Sequence, residues 1–109
     1  MDVIRRNVTD HLSYYIKPEG NVTPVMPDQE ATFPLKFIQD FVGPRLEIAC
    51  FTPEGYALIR NPEGTLQGLP VNSMATSLLS QATGKDDVIR GRAFLIHPEH
   101  FDRRLIPAA

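Results

Sequence analysis

The chain offers a single cysteine in 109 residues. One thiol can build neither an internal disulfide framework nor a cysteine-based zinc site. The residues around it, Leu46-Glu47-Ile48-Ala49-Cys50-Phe51, alternate like a strand, so the thiol reads as buried and structural, not as a nucleophile. No stretch approaches roughly eighteen consecutive apolar residues, and the N-terminus lacks the apolar region of a signal peptide. A soluble, cytoplasmic protein without membrane contact is expected, and the sequons at Asn7 and Asn21 are then accidental. Strong charge of either sign is also missing. A formal net charge of −2 supplies no field to draw the chain onto nucleic acid, and direct nucleic-acid binding is not expected.

Catalytic signatures are equally scarce. Ser73, Ser77 and Ser80 have no Gly-x-Ser-x-Gly context, the setting that exposes a serine nucleophile on a strained turn. Gly64-Thr65-Leu66-Gln67-Gly68 lacks the Gly-Lys-Ser/Thr ending of a phosphate loop and opens no helix directly. Glu19, Glu54 and Glu63 each sit in a turn, where an acid is normally solvated. No catalytic residue, no cofactor and no enzymatic activity are assigned.

What the chain does have is turn chemistry. Ten prolines are about twice the usual share, and Pro-Glu-Gly recurs at 18–20, 53–55 and 62–64. The flanks of these turns share no period, so they are convergent turns and not a repeat. A content of 42% hydrophobic and 22% charged residues is ordinary for one globular domain. The reading is an N-terminal extension or edge strand over 1–11, a single domain over 12–101 and a C-terminal tail over 102–109.

Strands are expected at 12–16 and 21–26, joined by the first Pro-Glu-Gly turn, with Pro24 placing the second strand at an edge or ending it early. Pro34, Phe37, Ile38, Phe41 and Val42 recur at helical spacing, and Gly43-Pro44 stops that helix. Strands follow at 46–51 and 56–60, then a turn at 61–64 leading into 65–68, with the strand ended at Pro70. Asn72 caps a helix expected to run to about Ser80. A last strand is read over 88–96, with Val88, Arg90, Arg92, Phe94 and Ile96 on its outer side, and 98–101 as a turn. The sum is an α+β fold: a small, mostly antiparallel sheet with two short helices packed on one face.

The chain resembles a family of small domains of unknown function common in bacteriophages, plasmids and other mobile elements of bacteria. The resemblance spans roughly 12–101. It rests most specifically on Asn61-Pro62-Glu63-Gly64-Thr65-Leu66-Gln67-Gly68-Leu69-Pro70-Val71-Asn72, an Asn-x-Glu-Gly-x-Leu-x-Gly-Leu-Pro-x-Asn segment. Tyr15-Ile16-Lys17-Pro18-Glu19-Gly20, Phe33 to Gly43, Leu46-Glu47-Ile48, Ala75-Thr76 and Ile89 to Ile96 support it. Pro44 and Pro62 depart from the family pattern at a helix exit and at a turn. The resemblance implies an accessory protein in a bacterial cytoplasm, and it carries over no activity and no catalytic residue.

Arginine supplies eight of the eleven cations, Lys17, Lys36 and Lys85 being the three lysines. Arginine forks suit phosphate and carboxylate better than lysine does. Arg90 and Arg92 fall on one side of the last strand beside Phe94, with Arg60 ending an earlier strand. Together these residues are a candidate clamp for a nucleotide or other phosphorylated ligand. His97 and His100, with Glu99 or Asp102, form a weak candidate for metal, and no metal is assigned. Val88, Phe94 and Ile96 are expected on an outer surface that contacts a partner or a second copy. The leading expectation is a non-enzymatic binding module acting on a host protein, in counter-defence or host takeover. The alternative is a binder of phosphorylated ligands through Arg60, Arg90 and Arg92.

Overall fold

The computed structural model describes residues 11–28 and 31–106. The extension expected over 1–11 lies outside them except for His11, as does the end of the expected tail. Five strands are formed: β1 (Ser13–Ile16), β2 (Val22–Val25), β3 (Glu47–Phe51), β4 (Ala57–Arg60) and β5 (Ala93–Ile96). Two helices, α1 (Leu35–Val42) and α2 (Ser73–Thr83), and a short 3-10 turn at Pro98–His100 complete the described elements. The sheet order is β2-β1-β5-β4-β3, and every pairing is antiparallel. Pro24 sits in β2 at the edge, where its missing N–H breaks no ladder.

β5, the last strand in the chain, is the central one, and all four of its residues are buried. Its alternation splits the core in two. Ala93 and Leu95 meet Tyr14, Ile16, Leu58 and the α2 residues Ala75, Leu78 and Leu79. Phe94 and Ile96 meet Ala57, Ile59 and the α1 residues Ile38, Phe41 and Val42. The α+β class and antiparallel sheet are as expected, but the helices, expected on one face, divide between both. A sheet centre with apolar side chains on each side must be covered on each side.

Four local expectations are corrected. The last strand is shorter than 88–96, because Gly91 at φ 87° turns the chain and breaks the two-residue alternation. Upstream of it only an isolated bridge joins Arg90 to Val71. Phe94 and Ile96, expected on an outer surface, are fully buried. Residues 65–68 form no strand but continue the turn. α2 also runs past Ser80 to Thr83, where left-handed Gly84 ends it with its N–H on the Ser80 carbonyl. Ile106 is 2% exposed and packs in the α1-side cluster.

Asn72 caps α2 as the sequence implies, accepting the Ala75 N–H at 3.1 Å. Its Nδ2 also donates to the carbonyls of Ile16 and Gly91, each at 2.9 Å. One buried amide thus ties α2, β1 and the entry to β5 together. Among the described residues no helix is long and apolar enough to cross a membrane.

Candidate functional site

The segment 61–70 is braced internally by its own polar groups. Asn61 Oδ1 accepts the Glu63 N–H at 2.8 Å, and Asn61 Nδ2 donates to Gln67 Oε1 at 3.1 Å. The Gln67 and Leu69 N–H groups donate to the carbonyls of Glu63 and Gly64. Gly64 lies so close to the next segment that a Cβ would stand 2.7 Å from the Arg90 carbonyl oxygen, so only glycine fits. The outcome is a braced loop with Leu66 at its tip, 87% exposed.

Beside this loop is an open cleft of about 510 Å³. Lys17 and Glu19 come to it from the β1–β2 turn, and Val42 and Gly43 from the end of α1. Asn61, Gln67 and Leu69 come from the braced loop, and Arg92 from the approach to β5. Arg92 is exposed, with its guanidinium carbon 5.0 Å from the centre of the Phe41 ring.

The arginines singled out in the sequence do not form one cluster. Arg60 and Arg90 line a separate depression of about 130 Å³, together with Asp87. Arg60 donates to Glu47 at 2.7 Å and to Asp87 at 2.9 Å. Burial works against its charge, but the bonds to Asp87 and Glu47 more than offset this and raise its pKa. The same bond, ahead of the other influences, holds the Asp87 carboxyl below its usual range. Arg90 donates to the Leu69 carbonyl at 3.2 Å, bracing the loop. Phe94 is buried under α1, out of reach of any ligand.

The histidines gather where the start and end of the described chain meet. Ser13 Oγ accepts the His97 N–H and bonds His100 Nδ1, both at 2.8 Å. Burial foremost, then the neighbouring His97, pushes the His100 pKa down. His11 pairs with Glu99, and ligand atoms of His11, His97 and Glu99 lie within 4.8 Å of one another. His11 is the member of this group that sequence spacing missed; His100 is turned to Ser13 instead. The group fits a metal poorly. His97 Nδ1 accepts the Glu99 N–H at 3.0 Å, so the neutral ring carries its proton on Nε2 and offers no lone pair there. Cys50 is buried, and burial raises its pKa against the pull of Arg60, which disfavours the thiolate.

Lys17, Asn61 and Gln67 were not singled out as site residues. Lys17 comes from a different segment than Asn61 and Gln67, and their convergence is a property of the sheet order. The family model described as Domain of unknown function (DUF3846) matches residues 13–105. No curated protein and no solved structure matches the chain.

Proposed function

We propose a function for a chain that belongs to the DUF3846 family: it is a non-enzymatic binding module. In this reading it is an accessory protein of a phage or mobile element that contacts a protein of its bacterial host, in counter-defence or host takeover. The observation that carries the reading is Leu66. Single exposed apolar residues are common on protein surfaces, but Leu66 stands 87% exposed on a loop tied down by side-chain and backbone hydrogen bonds. An apolar anchor on a rigid support loses little conformational entropy when a partner covers it. Val88 lines one depression with Thr65 and another with Val71, and both valines are exposed, so apolar surface continues beyond the loop.

The test uses the full chain as bait, with Leu66→Asp as the altered surface. Leu66→Asp is expected to melt within about 0.5 kcal/mol of the parent, as a surface change away from the core does. It should weaken binding to the partner that the parent captures at least tenfold. Equal binding by parent and variant would remove Leu66 from the interface. A sizing measurement on both proteins separates a host partner from a second copy: a dimer that Leu66→Asp dissociates would make the partner the chain itself.

A further inference from the structure

We infer that the cleft between Lys17 and Arg92 binds a phosphorylated sugar, either free or as part of a nucleotide. The inference is independent of the protein contact at Leu66, because it concerns residues that line the cleft, and Leu66 is not one of them. At about 510 Å³ the space lies within the range of small-molecule sites. Lys17 and Arg92 enter it from different segments of the fold, and neither has an ion-pair partner among the described residues. Arg60, by contrast, holds two carboxylates. A lysine and an arginine lining one cleft match a phosphate dianion in charge, and the guanidinium can fork onto two of its oxygens.

The rest of the lining suits a hydroxylated ligand. Arg92 rests against the Phe41 ring, a contact that leaves its N–H groups without an acceptor among the described residues, so they remain available to an anion. Gln67 accepts from Asn61 through Oε1, which leaves its amide N–H groups as donors. Glu19 is the acid of the lining, an acceptor for sugar hydroxyls. Val42 and Leu69 supply the apolar wall. The lining holds two cations and one carboxylate, so a ligand carrying phosphate and hydroxyl groups fits it better than a bare anion does.

The experiment is calorimetric titration of the full chain with four probe sets: the common nucleoside 5′-monophosphates, ribose 5-phosphate, the matching nucleosides, and inorganic phosphate. A one-to-one complex is expected with a nucleotide, with ribose 5-phosphate, or with both. Tighter nucleotide binding assigns the nucleotide, and equal binding assigns the free sugar phosphate. Nucleosides and inorganic phosphate should each bind at least tenfold more weakly. Lys17→Ala and Arg92→Ala should each weaken the complex at least tenfold without lowering the melting temperature, while Arg104→Ala, outside the cleft, leaves it unchanged. The inference is overturned if no phosphorylated probe binds at ~5 mM, a concentration at which even weak millimolar sites fill. It is also overturned if inorganic phosphate binds as tightly as the sugar phosphates, or if both cleft variants bind like the parent.

Discussion

Asn72 shows how much one side chain can settle. Its carboxamide accepts from one N–H of α2 and donates to two buried carbonyls, one on β1 and one at the approach to β5. Replacing it with alanine removes the helix cap and leaves the Ile16 and Gly91 carbonyls without that donor. The expected cost is about 2–4 kcal/mol, the sum of a lost cap and unsatisfied buried groups. Thermal unfolding of Asn72→Ala should fall by roughly 10 °C or more for a domain of this size. Asn72→Asp keeps the cap acceptor and loses both donations, so it should lie closer to alanine than to the parent. The capping role was legible in the Asn-Ser-Met-Ala sequence. The two donations were not, because their acceptors come from residues 56 and 19 positions away.

At the scale of elements, β5 is the most informative. Strand alternation over 88–96 puts Phe94 with Arg90 and Arg92 on an outer side. The strand forms only over Ala93–Ile96, and both of its faces are covered. A phenylalanine on an exposed face is dispensable; one that is 0% exposed between α1 and the sheet is not. Phe94→Ala should therefore destabilise the fold by about 3–5 kcal/mol, the usual cost of emptying a buried aromatic site. Chemical denaturation measures this directly, and a change below about 0.5 kcal/mol, normal for a surface site, would refute the burial. The elements with strong local punctuation came out where expected: the β1–β2 hairpin, α1 stopped at Gly43-Pro44, and β3 and β4 around the Pro53 turn. Those missed were governed by what lies across the sheet.

For the whole molecule, the burial of His100 where the start and end of the described chain meet ties stability to pH. His100 is buried, and its pKa lies below the ordinary 6.5, because burial and the nearby His97 and His11 disfavour its charge more than Glu99 favours it. The folded form therefore binds fewer protons than the unfolded form between the depressed pKa and 6.5. Its contribution to stability is fully present above pH 6.5 and is lost as pH falls through that window. Melting temperature should drop between pH 7.5 and pH 5, and His100→Gln should flatten the drop. An unchanged slope in that variant would assign the titration to other groups.

By itself the sequence determined what local chemistry decides: the α+β class, most element positions, the helix cap and the buried thiol. Each follows from neighbours within a few residues, through proline's fixed φ, glycine's freedom at positive φ, or the period of apolar side chains. Tertiary structure decided what depends on strand order. Placing the last strand at the centre made both sheet faces interior, moved the helices to opposite sides and buried Phe94. It also placed Arg92 in a different depression from Arg60 and set Lys17 and Arg92 around one cleft. Side chains from distant segments meet only once the order β2-β1-β5-β4-β3 is set, and no local pattern encodes which strand takes the middle.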